Sequence, residues 1–279
     1  MHPVFLRIGN FVIGSYGVMI VIGLLAGLWI ISRLARRRAL NPDFFYDLVF
    51  IVILSGFLGA RAFYIAQNWE EFKANPPALL LAREGFVFLG GFLVAVVVAL
   101  WFCRRRGMPV LEVADLVAPG LVLGHAFGRI GCFLAGCCHG FVCPADSSHF
   151  LLRHVAVSFP VLRNPDGTLN EMFNYAYNGQ LMEGLLSPDA ARTLPLAPVQ
   201  LFESFGNFMI CLALLWAWRR RRFSGQVAAL YLILYSALRF GLEFLRGDAV
   251  RGVYFNGAIS TSQILCVFTL AAGLALWFG

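Results

Sequence analysis

Residues 124–140 read GHAFGRIGCFLAGCCHG. A histidine, an arginine and three cysteines stand inside or beside an otherwise apolar run. An arginine in hydrocarbon costs at least about 2.5–3.5 kcal/mol, so it faces a bundle interior or a wet cavity and acts there. On a helix, His125, Arg129 and Cys132 lie at i, i+4 and i+7 and share one face. Gly120, Gly124 and Gly128 recur at every fourth position, the small-xxx-small spacing that admits a second helix backbone at close range. The stretch therefore reads as one helix of a membrane bundle, with its polar groups turned inward.

The rest of the chain agrees. Of 279 residues, 59% are hydrophobic and 13% charged, whereas soluble domains average about 25% charged. Mean hydropathy is +0.75. This is the composition of an all-α integral membrane protein. The net charge of +7 raises a nucleic-acid reading, which the placement of the arginines sets aside: they form short runs between apolar spans, as membrane topology requires. No cleavable signal peptide is expected. The first apolar run is too long for a signal core and is followed by arginines rather than a small-residue cleavage site.

Seven spans are expected, roughly Phe11–Ile31, Leu48–Ile65, Phe86–Phe102, Leu111–Ala135, Pro198–Trp218, Val227–Leu245 and Ala258–Phe278. Each is near the ~20 residues that cross a bilayer. Arg33 and Arg36 to Arg38 follow the first span, Arg104 to Arg106 the third, and Arg219 to Arg222 the fifth. The alternate loops mix signs, with Glu70, Glu71, Lys73, Arg83 and Glu84 in one and Arg246, Asp248 and Arg251 in another. The positive-inside rule then places the N-terminus outside and the C-terminus in the cytoplasm. Residues 1–279 read as a single polytopic membrane domain. The outer loop 137–197, with turn residues Asn164 to Gly167, is long enough for a small extracytoplasmic cap. Trp69 to Pro77 reads as a short interfacial element.

Polar residues inside the spans gather toward their outer ends. Tyr235, Arg239, Glu243 and Arg246 lie at i, i+4, i+8 and i+11, one stripe on one helical face. Arg239 and Glu243 can pair, which lowers the desolvation cost of both. Gln200 and Glu203 share a face, and Arg61, Tyr16 and Gln263 fall at similar depth. Helix-pinning ion pairs are the plainer explanation of any single pair. Several arginines at one depth facing two glutamates go further, because guanidinium groups match phosphate oxygens with forked hydrogen bonds. The expected site is a pocket for an anionic phospholipid headgroup.

Cys132, Cys137, Cys138 and Cys143 form a second cluster, whereas Cys103, Cys211 and Cys266 lie singly in apolar segments. The spacing C-x4-C-C-H-x3-C matches no standard zinc finger. An outer-surface position favours a disulfide, here from Cys137 or Cys138 to Cys132 or Cys143. Plain packing and metal or redox chemistry stay open. No metal and no cofactor are assigned. His139, His149 and His154 read as solvated loop residues.

Taken in order, the blocks resemble the prolipoprotein diacylglyceryl transferase family. They are His2-Pro3 with Ile8-Gly9, Ser15-Tyr16-Gly17, Gly59-Ala60-Arg61, Phe72 to Pro76, Gly90-Gly91, Ala114-Asp115, Gly128-Arg129-Ile130-Gly131, Pro198 to Glu203, Tyr235, Arg239 to Arg246, and Ser262 to Leu265. The resemblance implies seven spans with an outer N-terminus in a bacterial inner membrane. It implies transfer of a diacylglyceryl group from phosphatidylglycerol to the lipobox cysteine of a prolipoprotein, with no nucleic-acid partner. Arg129 and Arg239 would stabilise the departing phosphate, Glu203 and Glu243 would orient them, and Tyr235 would assist proton removal. Tyr16, Arg61, His125, Cys132, Cys137, Gln200, Glu203, Arg246 and Gln263 would line the substrate site. The chain departs from the family pattern at five places. Cys132 and Ala135 replace asparagines, Cys137 a glutamate, and Leu89 and Ala197 histidines. The competing readings are a paralogue that lipidates another acceptor, a membrane thiol or redox protein using Cys132 to Cys143, and a phospholipid-binding module without chemistry.

Overall fold

The computed structural model describes residues 2–8, 11–81, 85–143, 150–163, 167–170, 174–247, 252–254 and 259–279. Arg83, Glu84, His149, Asn164, Asp248, Arg251 and Ala258 lie outside the described residues. In chain order the elements are β1 (Val4–Ile8), β2 (Phe11–Gly14), α1 (Ser15–Arg37), α2 (Pro42–Gln67), α3 (Trp69–Ala74), α4 (Pro76–Leu81), α5 (Phe88–Arg105) and α6 (Val110–Ala135). There follow α7 (Phe150–Val155), α8 (Tyr175–Met182), α9 (Val199–Trp218), α10 (Gln226–Glu243), β3 (Val253–Tyr254), β4 (Ile259–Ser260) and α11 (Thr261–Phe278).

Among the described residues six helices, α1, α2, α5, α6, α9 and α11, are long and apolar enough to cross a membrane. They expose Trp29, Phe50, Phe88, Leu212 and Phe268 among many large apolar side chains. A surface of that kind is tolerated where lipid replaces water. Helix α10 covers most of the expected sixth span, but its polar residues leave it outside that set of six. The helical architecture expected from the sequence is accompanied by two short antiparallel hairpins, β1–β2 and β3–β4. Phe11–Gly14, read as the start of the first span, pairs with β1 instead. The helix begins only at Ser15, whose N–H donates to Pro3 O at 2.8 Å.

The chain forms two compact units, Ile31–Leu116 and Met1–Ile30 with Val117–Gly279. In the first, α2 runs along α5. Asn41 caps α2 by accepting from Asp43 N–H at 2.9 Å, and proline occupies the first turn, where its missing N–H costs nothing. The two helices approach through glycines: a Cβ on Gly91 would stand 2.6 Å from Gly56 O. Buried Arg61 donates Nη1 to Gly85 O at 2.8 Å and Nη2 to Leu79 O. Its guanidinium also lies over the Tyr64 and Phe86 rings, 5.7 and 5.1 Å from their centroids. The interfacial element expected at Trp69 to Pro77 is two short helices, α3 and α4.

In the other unit the glycine ridge of α6 meets a matching ridge on α1. A Cβ on Gly23 would stand 2.9 Å from Gly124 O, and one on Gly27 2.7 Å from Gly120 O. Gly128 has open space instead. Helix α9 is fastened to α6 by two donors seven residues apart. Ser204 Oγ donates to Ala126 O at 3.0 Å and Cys211 Sγ to Pro119 O at 3.4 Å. Helix α10 packs against both α9 and α11.

The segment 137–197 folds on itself. The buried Asn174 amide accepts from Leu162 N–H at 2.9 Å and donates to the carbonyls of Leu162 and Asn170. Phe159, Ala176 and Leu196 form its core, with Phe133, Val142 and Val157 against it. A second cluster joins Cys143 and Ala197 to Val199 and Leu242, at the ends of α9 and α10.

Candidate active site

Helices α6, α9, α10 and α11 bring two ion pairs together. Arg129 Nε stands 3.1 Å from Glu203 Oε1. Glu203 is 1% exposed, so this contact is shielded from solvent. Arg129 Nε also donates to His125 Nε2 at 3.2 Å, one turn back on α6. An accepting Nε2 means that the neutral ring carries its proton on Nδ1. On α10, Arg239 Nη2 stands 2.8 Å from Glu243 Oε2 and donates to Ser262 Oγ at 3.1 Å. Arg239 Nη1 is buried and has no hydrogen-bond partner among the described residues.

Tyr235 joins the two pairs. Its ring lies 5.2 Å from the His125 ring and stacks on Tyr231 at 5.7 Å. It sits within electrostatic reach of Glu203, Arg129 and Arg239. Arg129, Arg239 and Arg246 are three guanidiniums of the kind that hold phosphate oxygens with forked hydrogen bonds. Arg246 is buried and follows α10 directly.

Beside Arg129 the end of α6 turns sharply. Gly136 has φ +77° and Cys138 φ +56°. For a cysteine the left-handed region costs on the order of 1–3 kcal/mol and persists only where the surroundings impose it. The turn gathers the sulfurs of Cys132, Cys137 and Cys138 to within 4.8 Å of one another. Hydrogen bonds from Cys132 and then Cys137 hold the Cys138 thiol well below the usual thiol range against its burial, and Arg246 and Arg129 add to the effect. Cys137 is pushed the other way by its bonds to Cys132 and Cys138 and by burial.

All seven cysteines are free thiols, which corrects the disulfide expectation. Cys143 does not join the cluster. Its Sγ donates to Phe141 O at 3.7 Å, and burial in its own apolar cluster raises its thiol.

Tyr16 packs against Gly131 of α6. A Cβ on Gly131 would stand 3.0 Å from its ring, and the three sulfurs lie within its electrostatic reach. Gln200 Nε2 donates to Cys137 O at 2.8 Å. Gln263 completes a capping box with Ser260 at the start of α11. These glutamines hold backbone in place. Arg61 belongs to the other unit and has the carbonyl contacts described there.

The family model for prolipoprotein diacylglyceryl transferase matches residues 3–279. The chain belongs to the prolipoprotein diacylglyceryl transferase family. It is 31% identical over 274 residues to the phosphatidylglycerol–prolipoprotein diacylglyceryl transferase of Clostridium tetani, covering 98% of this chain and 96% of that protein. A second transferase, from Clostridium perfringens, is 32% identical over 94% of this chain and 89% of its own length. The Geobacillus kaustophilus enzyme is 31% identical over 99% and 92%.

Of the residues that the sequence nominates, the diacylglyceryl transferase fold brings Arg129, His125, Glu203, Tyr235, Arg239 and Glu243 into one cluster, with Tyr16, Cys132, Cys137 and Arg246 beside it. Sequence reasoning left two neighbours out of the site. Ser262 is the hydroxyl partner of Arg239, and its signal was its place at the start of α11, the depth of Arg239. Cys138 was grouped with the other cysteines but given no role, because a strained turn is not visible in spacing.

Proposed function

We propose that the chain transfers the diacylglyceryl group of phosphatidylglycerol to the lipobox cysteine thiol of a prolipoprotein, forming a thioether and releasing glycerol phosphate. The carrying observation is the pair of Arg–Glu contacts at Arg129 and Arg239, gathered at one site. Arg239 Nη1 has an N–H to give a phosphodiester oxygen.

Arg129 and Arg239 hold the phosphate and stabilise the charge that grows on the leaving oxygen. Removing one such donor typically costs 10²–10³ in rate. Glu203 and Glu243 fix the two guanidiniums, since a buried arginine without a partner relaxes away. Tyr235 lies between the pairs and assists removal of the acceptor proton. Tyr16, His125 and Arg246 add headgroup contacts. Gln200 and Gln263 set the backbone around the cysteine turn and the start of α11. Arg61 keeps the α2–α5 unit in register.

In this reading the chain crosses a bacterial inner membrane seven times, α10 included, with its N-terminus outside. The arginine runs after α1, α5 and α9 support that orientation. Segment 137–197 is then the outer cap that meets the secreted substrate.

The test is transfer by the purified chain in vesicles containing phosphatidylglycerol labelled in its acyl chains. A peptide with a lipobox cysteine should acquire the label as a thioether. The same peptide with serine in place of that cysteine should not. Label-free cysteine peptide, with phosphatidylglycerol bound but unchanged, would reduce the site to a lipid-binding one.

A further inference from the structure

We propose that Cys132, Cys137 and Cys138 bind one zinc ion through their sulfurs and leave its fourth position to the thiol of the acceptor cysteine. The proposal rests on the transferase reading for the identity of that thiol.

The three sulfurs lie within 4.8 Å of one another. With Zn–S near 2.3 Å, tetrahedral ligands stand about 3.8 Å apart, so side-chain rotations that close about 1 Å complete the site. The left-handed Cys138 is an independent sign that the turn is shaped for something. A helix exit needs no cysteine there, and the same bend with glycine at 138 would be unstrained. Among the described residues no fourth His, Cys, Asp or Glu joins the group. His139, the nearest candidate in sequence, has its Nδ1 engaged with Gly140 O at 2.9 Å. Structural zinc sites are closed by four protein ligands, whereas reactive ones have three and an open position. Cys137 and Cys138 are partly exposed while Cys132 is buried, so the open side faces outward from α6.

The charge also fits. Zinc with three thiolates carries one negative charge, and Arg129 and Arg246 both lie within reach of the Cys138 sulfur. Soft thiolates select zinc over magnesium or calcium. A thiol that coordinates such an ion gives up its proton outright.

The step balances without an oxidant. The acceptor R–SH binds the open position and its proton passes, with the assistance of Tyr235, to the outer water. The metal-bound sulfur then uses a lone pair to form the S–C bond to the glyceryl carbon. The C–O bond to phosphate breaks, and its electron pair leaves on glycerol phosphate. The thioether is neutral, a weak ligand, and departs.

The experiment uses the full-length chain in detergent, purified through a tag without histidine. Elemental analysis should find about one zinc per chain, retained by Cys143→Ser and lost from Cys138→Ser and from Cys137→Ser/Cys138→Ser. In the unchanged chain, maleimide should spare these three thiols until a chelator is added, which settles the site even if a variant fails to fold. The cobalt-substituted protein should show thiolate-to-cobalt absorption that changes on adding a lipobox peptide and not its serine analogue. Metal-free protein with freely reactive thiols overturns the site, as does copper or a disulfide in its place. Metal without a response to the peptide overturns the open position. Full transfer activity after chelation sinks this proposal and leaves the transferase reading standing. A zinc site that answers the cysteine peptide, in a protein that transfers no lipid, does the reverse.

Discussion

The two compact units are built alike and filled differently. Each has a pair of long helices that meet through glycines, Gly23 and Gly27 against Gly124 and Gly120 in one, Gly56 against Gly91 in the other. Each buries an arginine at its polar level. Arg61 is met by the carbonyls of Gly85 and Leu79 and by two aromatic rings. Arg129 and Arg239 are met by the carboxylates of Glu203 and Glu243. Carbonyl dipoles solvate a guanidinium and anchor a loop. Carboxylates neutralise it and fix its fork, at a desolvation cost that structure alone does not require. In the proposed reading, that difference separates the reacting site from the framework.

The largest effect expected from that contrast is at Arg239. Arg239→Lys keeps the charge but loses the fork that reaches Glu243, Ser262 and the phosphate together. Transfer should fall by at least about 10²-fold, the usual cost of one transition-state donor, with the melting temperature little changed. Initial rates in labelled vesicles measure it. A lysine variant within threefold of the parent, roughly the scatter of such mutational effects, would move the phosphate site elsewhere.

Glu203→Gln comes next. The amide keeps the shape but leaves Arg129 without its counter-ion. A loss of about 3–5 kcal/mol in stability is expected from the broken buried pair, with roughly tenfold lower transfer as Arg129 loses its orientation. Thermal unfolding and kinetics on one preparation separate the two. Unchanged kinetics with lower stability would make the pair a helix pin, the plainer explanation open from the sequence.

Much of this was legible before any coordinates. A buried arginine, a fourfold glycine spacing and alternating basic loops are local signals tied to a strong penalty, so the helix positions and the polar stripe of α10 could be read directly. The partners of those groups could not. Nothing in spacing pairs Arg129 with Glu203 across 74 positions of chain, or shows that Arg61 meets carbonyls. The β1–β2 hairpin hid because Phe11–Gly14 is apolar enough to extend the helix that follows. The disulfide expectation failed for a related reason. Four cysteines within twelve residues look like one cluster, but the turn at Gly136 and Cys138 collects three and leaves Cys143 in an apolar core.

Arg61→Lys tests the other half of the contrast. An ammonium cannot serve both carbonyls in the same plane, so stability should drop by about 1.5–3 kcal/mol, the worth of a hydrogen bond to a charged group. KM for phosphatidylglycerol should hold. A raised KM with unchanged stability would turn Arg61 into a headgroup ligand, as its depth in the second span first suggested.

The smallest effect expected concerns the framework itself. Gly27→Ala places a Cβ 2.7 Å from Gly120 O, closer than real contacts allow, and backbone rather than a flexible side chain must yield. Overpacking of this kind costs about 1–3 kcal/mol. Gly128→Ala is on the same α6 ridge by sequence but has open space around its Cβ, so it should be neutral or slightly stabilising, by up to about 1 kcal/mol, as a helical Gly→Ala change. The pair separates spacing from contact, because both glycines obey the small-xxx-small rule and only one is pressed. Unfolding of the two variants in one detergent measures the difference. Equal losses would mean that Gly128 also meets a backbone and that the α1–α6 ridge continues to the level of Arg129. Equal tolerance would mean that the helices part at Gly27 and that the glycines serve no close approach.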